Sequence, residues 1–123
     1  MSTVDLTEAT FEQTVTDNDI VLVDWWASWC GPCRMFAPIY DEAATKNPDI
    51  TFGKVDTEAE QGLAAQFGIQ SIPTLMVFRD KVLVFAQAGA LPAASLDDLI
   101  SQARALDMDE VHRSIAERSG AQA

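Results

Sequence analysis

The sequence is short of the residues that build metal sites and membrane spans. Its 123 residues include two cysteines and one histidine, His112. A structural zinc site needs four ligands, so a cysteine pair and one distant histidine predict no metal, and His112 is expected on the surface of a last helix. No apolar run reaches the length of about 20 residues that a transmembrane helix needs, so no membrane association is expected.

Positive charge is also scarce. Eight Lys and Arg residues against 19 Asp and Glu residues give a formal net charge of −11. This excess of negative charge repels nucleic acid and anionic lipid, so neither is expected as a partner. No basic residue precedes Arg34, and residues 1–19 hold no apolar run of the kind that a signal peptide carries. We therefore expect a cytoplasmic, monomeric protein with one main domain.

The most informative stretch is Ile20–Pro38, with the sequence I-V-L-V-D-W-W-A-S-W-C-G-P-C-R-M-F-A-P. It contains both cysteines and all three tryptophans. Val21–Trp26 predicts a short buried strand that Asp24 interrupts. Beyond it, apolar residues recur at helical spacing at Phe36, Ile39, Tyr40 and Ala43. The Cys-Gly-Pro-Cys motif is therefore expected where a strand ends and a helix begins.

This placement favours reversible chemistry at Cys30 and Cys33. The amides and the dipole of a helix N-terminus stabilise an anion, so a thiol there loses its proton more easily. Two cysteines three residues apart can come within disulfide reach, about 5–6 Å between Cα atoms. Only Gly31 and Pro32 separate them, and proline suits the first helical turn. The motif predicts a dithiol that alternates with a disulfide.

The string V-D-W-W-A-S-W-C-G-P-C-R resembles the active-site segment of thioredoxins. The predicted elements follow the order β-α-β-α-β-α-β-β-α, which is also the thioredoxin order. The resemblance covers roughly Leu6 to Leu106. It implies an α/β thioredoxin fold in residues 1–106, a central mixed sheet of about five strands flanked by helices.

Some local signals concern only parts of this fold. Thr7 is predicted to cap the first helix, and Thr57 and Glu60 are predicted to form a capping box. Lys81 stands in the last hairpin turn, where thioredoxins usually have glycine, which leaves the turn type open. Residues 107–123 extend past the usual last helix. Asp107 and Glu110 can cap a further helix, with an apolar stripe of Met108, Val111 and Ile115.

The role of this C-terminal extension is left open by the sequence. Its stripe could pack on the domain or on a partner, or the segment could be a partly frayed tail.

By resemblance, Cys30 is the nucleophile, expected on the exposed side of the turn, and Cys33 is the shielded resolving cysteine. Asp24 matches the buried aspartate of the family, which implies that it accepts the proton of Cys33 through water. Burial of an unpaired carboxyl group favours its neutral form. Lys54 matches the family lysine near that aspartate, although an ordinary exposed strand lysine remains the alternative.

Ile72-Pro73 resembles the loop with a cis proline that faces the cysteines, and the backbone of Ile72 would pair with the substrate chain. The resemblance also implies that Trp26 packs beneath the site, whereas Trp25 is expected in the core. A flat apolar contact surface around Cys30 would be formed by Trp29, Gly31, Pro32, Ile72, Pro73, Gly89 and Ala90.

The resemblance implies a general protein disulfide reductase. It would act on disulfide-containing target proteins, carry no cofactor of its own and be re-reduced by a thioredoxin reductase that uses flavin and NADPH. Two alternatives remain at this point. The chain could be a disulfide oxidant or isomerase, since the residues between the cysteines tune the redox potential. It could also be a non-catalytic interaction module with the same fold.

Overall fold

The computed structural model describes residues 3–121, with side chains described as far as Arg118. Within this range the chain forms five strands and five helices. The strands are β1 (Thr3–Asp5), β2 (Ile20–Trp26), β3 (Thr51–Asp56), β4 (Thr74–Arg79) and β5 (Val82–Ala88). The helices are α1 (Phe11–Asp17), α2 (Gly31–Lys46), α3 (Gln61–Gln66), α4 (Ala93–Ala105) and α5 (Met108–Ala121). No helix within residues 3–121 is long and apolar enough to cross a bilayer.

The strands form one mixed sheet in the order β1-β3-β2-β4-β5. Strands β1, β2 and β3 are parallel, whereas β4 is antiparallel to both β2 and β5. The central strand β2 is thus paired on both sides, with Asp24 opposite Lys54 on β3 and opposite Leu75 on β4. The predicted α/β thioredoxin fold with five strands is confirmed.

Apolar clusters cover the two faces of the sheet. One face packs against α2 and α4, and its buried residues include Leu22, Phe36, Tyr40, Phe52, Leu96 and Ile100. The other face packs against α1 and α3 and includes Phe11, Trp25 and Leu63, so the prediction that Trp25 lies in the core is confirmed. Since side chains alternate along a strand, Asp24 shares the α2 face with Leu22.

The predicted cap of the first helix is wrong. Helix α1 begins at Phe11, and Thr7 lies in the turn before it, where the Thr7 amide donates to Thr10 Oγ1 at 3.0 Å. Because Thr7 and Thr10 hydrogen-bond to each other within this turn, the helix starts one turn later than its sequence signal indicates.

The predicted capping box at the start of α3 is also wrong. Thr57 Oγ1 donates to the Trp26 carbonyl oxygen at 3.0 Å, and the Glu60 carboxylate accepts from the Glu8 amide at 2.9 Å. Both side chains therefore bind distant parts of the backbone, and α3 begins at Gln61 with no side-chain cap.

The type of the β4–β5 turn, which the sequence left open at Lys81, follows from its backbone angles. Asp80 and Lys81 both have positive φ, 50° and 70°. Two such residues are typical of a type I′ hairpin turn, whose twist matches that of the flanking strands. Lys81 therefore adopts a left-handed conformation that glycine would adopt at less cost.

The C-terminal extension forms the helix α5. Asp107 Oδ1 accepts from the Glu110 amide at 3.2 Å, so the predicted cap is confirmed. Along the stripe, Met108 is buried, Val111 is half-buried and Ile115 is 37% exposed. The start of α5 therefore packs on the domain, and the stripe becomes more exposed toward its end.

Candidate active site

The two cysteines form a disulfide at the N-terminus of α2. Cys30 is the N-cap of this helix, with an extended backbone (φ −85°, ψ 113°), and the Cα atoms of Cys30 and Cys33 are 5.2 Å apart. The Sγ atom of Cys30 accepts from the Cys33 amide at 3.2 Å. An amide of the first helical turn thus already points at the sulfur that would carry negative charge in a reduced Cys30.

The expectation that Cys30 is exposed is wrong for this disulfide form. Cys30 is 4% exposed and Cys33 is 3% exposed. Ala27 and the partly buried Trp26 and Ile72 pack against the pair, and the Ile72 carbonyl oxygen lies 3.7 Å from Cys30 Sγ. Exposure therefore does not distinguish the two sulfurs, and what distinguishes them is the position of Cys30 at the helix cap.

The loop before β4 lies against this disulfide. The Ile72–Pro73 peptide bond is cis, as predicted. The Gly89 amide donates to the Pro73 carbonyl oxygen at 2.8 Å, which brings the end of β5 to the same edge. Gly89 has a φ of +105°, a conformation that favours glycine, and it is exposed together with Ala90.

The predicted contact surface also includes residues near the disulfide. Trp29 is 64% exposed, Pro32 is exposed and Gly31 is half-buried with open space beside its Cα. Met35, which the sequence analysis did not select, is 74% exposed on the first turns of α2. Two large apolar side chains, one before and one after the cysteine pair in the chain, are thus exposed, and exposed apolar surface favours contact with another polypeptide.

Asp24 is a buried acid. It is 1% exposed, and neither carboxyl oxygen has a hydrogen-bond partner in the described part of the chain. Burial raises the pKa of Asp24 to about 7, the charge of Lys54 opposes this rise, and the charge of Asp41 adds to it. Asp24 can therefore gain or lose a proton near neutral pH.

Lys54 forms no ion pair with Asp24, although the two residues are opposite each other in the sheet. Its ammonium lies over the ring of Trp26, with Nζ 5.0 Å from the ring centroid. Trp26 in turn packs against the cysteine pair, as predicted, and its buried Nε1 has no hydrogen-bond partner in the described residues.

Two further residues near Asp24, Tyr40 and Asp41, were missed by the sequence analysis as parts of the site. Tyr40 is fully buried, and its hydroxyl donates to the Gly53 carbonyl oxygen at 2.8 Å. Burial raises the pKa of Tyr40, and the charges of Asp24 and Asp41 add to the rise. Helical spacing placed Tyr40 on the inner face of α2, but no local signal could show its bond to β3.

Comparison with known proteins agrees with this geometry. The thioredoxin family model matches residues 2–102. A Streptomyces coelicolor protein assigned as thioredoxin 2 is 63% identical over 117 residues, which cover 95% of this chain and 87% of the relative. Thioredoxin 1 of Synechococcus elongatus is 46% identical over 99 residues, 79% of this chain and 92% of the relative.

Among solved structures, a mutant thioredoxin from Halobacterium salinarum superposes with a TM-score of 0.77. It is 33% identical in sequence, and the match covers 85% of this chain and 91% of that one. The Streptomyces match leaves at most six of the 123 residues outside it, so it continues into α5.

Proposed function

The chain belongs to the thioredoxin family and is a thiol–disulfide oxidoreductase, and from this premise we propose how its residues reduce protein disulfides. Cys30 is the attacking nucleophile, Cys33 the resolving cysteine and Asp24 the acceptor of the Cys33 proton. The observation that carries this proposal is the position of the disulfide, with Cys30 at the cap of α2 and its sulfur facing the Cys33 amide at 3.2 Å.

The reaction has two exchange steps. In the reduced protein the Cys30 thiolate attacks one sulfur of a target disulfide, forms a mixed disulfide with it and releases the other target sulfur as a thiolate. Cys33 then loses its proton to Asp24 and attacks Cys30 Sγ. This second step forms the Cys30–Cys33 disulfide and releases the remaining target sulfur, so two electrons pass to the target.

Asp24 suits the second step because of its environment. A base works best when its pKa lies near the working pH, and burial brings the pKa of Asp24 to about 7. Its carboxyl oxygens have no hydrogen-bond partner in residues 3–121, so a proton can bind there without breaking an existing bond. Lys54 favours the ionised form, which is the form that accepts the proton.

The target chain is proposed to lie across the surface formed by Trp29, Gly31, Pro32, Ile72, Pro73, Gly89 and Ala90. The carbonyl oxygen of Ile72 lies 3.7 Å from Cys30 Sγ and would accept from a target backbone amide beside the attacked sulfur. Because Trp29 is 64% exposed while both sulfurs are buried, contact with Trp29 is expected to come first.

Disulfide-containing proteins are the substrates of this family, and the further partner we propose is a flavin- and NADPH-dependent thioredoxin reductase that restores the dithiol. We place the chain in the cytoplasm, where such a reductase would act. We also propose that residues 1–106 form the catalytic domain and that 107–123 are an accessory extension, because every proposed site residue lies before position 91.

The test is insulin reduction, first with dithiothreitol and then with NADPH and a bacterial thioredoxin reductase. We expect turnover in both assays. Turnover with dithiothreitol alone would contradict the proposed reductase partner but would leave the proposed thiol–disulfide exchange at Cys30 and Cys33 standing. No turnover in either assay would favour the non-catalytic module, and a redox potential in the oxidising range would favour the oxidant or isomerase.

A further inference from the structure

Three side chains on the α2 face of the sheet form what we call the acid–lysine–indole cluster: Asp24, Lys54 and Trp26. Asp24 and Lys54 are register partners on β2 and β3, and Trp26 follows Asp24 by two residues, which places it on the same face. The Lys54 ammonium lies 5.0 Å from the centroid of the Trp26 ring, within the distance of about 6 Å that a cation–π contact allows.

The position of the ammonium is not explained by an ion pair. Both oxygens of Asp24 lack a hydrogen-bond partner in the described residues, so Lys54 does not reach them. Lys54 is half-buried, and the described contact of its ammonium is with the indole face. The long lysine side chain could otherwise extend into water, where an ammonium is well hydrated.

We propose that Trp26 is a positioning residue for the resolving step, whose indole face holds the Lys54 ammonium beside the buried Asp24 carboxyl group. This proposal rests on the proposed role of Asp24 as proton acceptor. Held in this way, the ammonium stabilises the Asp24 carboxylate through space but leaves its oxygens free to take a proton. Trp26 also packs against the cluster of Ala27, Cys30 and Cys33, so one side chain contacts both the charge partner of Asp24 and the cluster that holds the cysteines.

The charges around Asp24 are consistent with this arrangement. Burial raises the pKa of Asp24, and the positive charge of Lys54 lowers it. Helix α2 contributes Asp41, which raises the pKa further, and Tyr40, whose hydroxyl is bound to the Gly53 carbonyl oxygen. Cys33, also on α2, is bound to Cys30 in the disulfide and carries no charge in this form. Strand β4 contributes Leu75, which carries no charge, opposite Asp24.

The test is a double-mutant cycle read by the pKa of Asp24 in the oxidised protein. The side-chain carboxyl carbon is titrated by NMR in wild type, Trp26→Leu, Lys54→Met and the double variant. Removing the ammonium by Lys54→Met should raise this pKa by about one pH unit, as expected for an opposite charge several ångströms away. Lys81→Met, on the distant β4–β5 turn, is the matched control and should leave it unchanged.

The decisive quantity is the change in the pKa of Asp24 that Trp26→Leu causes, measured once with Lys54 present and once in the Lys54→Met variant. We expect it to raise the pKa of Asp24 by about half a pH unit more when Lys54 is present than in the Lys54→Met background. Equal effects would mean that Trp26 acts only through burial, and a lower pKa with Lys54 present would mean that the freed ammonium closes onto Asp24. Either result overturns the proposal.

Trp26→Phe provides a second variant that keeps an aromatic face and should disturb the packing less than Trp26→Leu. It should show a smaller difference between the two backgrounds than Trp26→Leu, and a difference as large as that of Trp26→Leu would count against an indole-held ammonium. None of these titrations depends on turnover. Failure of the proposed catalytic roles would appear instead in the insulin and trapping experiments.

Discussion

At the two ends of the central sheet, the aspartate carboxyl groups differ in their hydrogen bonding. Near the carboxyl end of β2, Asp24 and the indole nitrogen of Trp26 are buried without hydrogen-bond partners in the described chain. At the other end, Arg104 donates to both carboxyl oxygens of Asp49 at 2.6 and 3.0 Å. Arg79 Nη1 donates to the Ala103 carbonyl oxygen at 2.6 Å, although the buried Nε of Arg79 has no partner in the described residues.

The pKa values of Asp24 and Asp49 are shifted in opposite directions. Burial raises the pKa of Asp24, whereas the hydrogen bond from Arg104 lowers the pKa of the exposed Asp49. The site end thus keeps a carboxyl group that can exchange protons near neutral pH, and the distal end keeps one that stays ionised. Unpaired polar groups cost stability, so the site end is organised for chemistry and the distal end for holding α4 and the start of α5.

The largest effects are expected at the cysteines. Cys33→Ser should abolish insulin turnover and accumulate mixed disulfides, because Cys30 can still attack but nothing resolves the product. Cys30→Ser should abolish turnover without such accumulation. Target proteins captured on each variant are measured by non-reducing electrophoresis after mixing with an oxidised protein extract. Equal capture by the two variants would contradict the assigned roles.

The next effect is expected on the resolving step at Asp24. Asp24→Asn removes the proton acceptor, so release of the target from a preformed mixed disulfide should slow by on the order of 10- to 10²-fold at pH 7. Stopped-flow measurement of product release gives this rate directly. Asp109→Asn is the matched control, since Asp109 is exposed on α5, outside the site, and should leave the rate unchanged. An unchanged rate in Asp24→Asn would remove Asp24 from the mechanism.

A smaller effect is expected from removing α5. Truncation after Leu106 deletes the buried Met108, so the free energy of unfolding should fall by about 1–3 kcal/mol. Insulin turnover of the folded protein should remain, because the site residues lie in residues 24–90. Denaturant unfolding and the insulin assay are run on the same samples. Lost turnover with unchanged stability would instead make the extension part of the function.

The smallest effect is expected at the exposed Asp49–Arg104 pair. Its stabilisation should be present above pH 3.8 and be lost as the pH falls from there through the lower folded pKa of Asp49. Because both side chains are exposed and solvent screens them, Arg104→Gln should change the midpoint of urea unfolding little at any pH. A change as large as that of the α5 truncation would contradict the contrast between the two ends.

The fold and the cysteine site were predictable because their signals are local. The apolar run of β2, the helical spacing after Cys33 and the motif between them lie close together in the chain, and the order of the elements fixed the sheet. Asp24 was predicted as a buried acid from its place inside that run. The cap at Asp107 was also a local signal, and α5 formed as it indicated.

Apart from the Thr7 cap, which the neighbouring Thr10 displaced, the failures came from contacts between distant segments. Thr57 and Glu60 have the spacing of a capping box, but Trp26 and Glu8 supply their partners instead. Burial of Cys30 depends on Ile72, which is 42 positions away. The position of the Lys54 ammonium over Trp26 depends on the pairing of two strands. No pattern within one segment could have indicated any of these contacts.

The central claim is that Asp24 is kept as a buried acid without a hydrogen-bond partner in the described residues, and its effect on stability tests this most directly. With a folded pKa of about 7 and an unfolded value of 3.8, the native state retains a proton that the unfolded chain has lost. The cost of Asp24 therefore grows as the pH rises from 3.8 to about 7 and is constant above that. The difference in free energy of unfolding between Asp24→Asn and wild type is measured by denaturant unfolding from about pH 4 to about pH 8, a range that spans both values.

We expect Asp24→Asn to be more stable than wild type at about pH 8, by up to roughly 4 kcal/mol less the cost of its own buried amide, and to lose most of this advantage at about pH 4. A variant that is less stable than wild type at the alkaline end, or a difference that does not change with pH, would contradict the account.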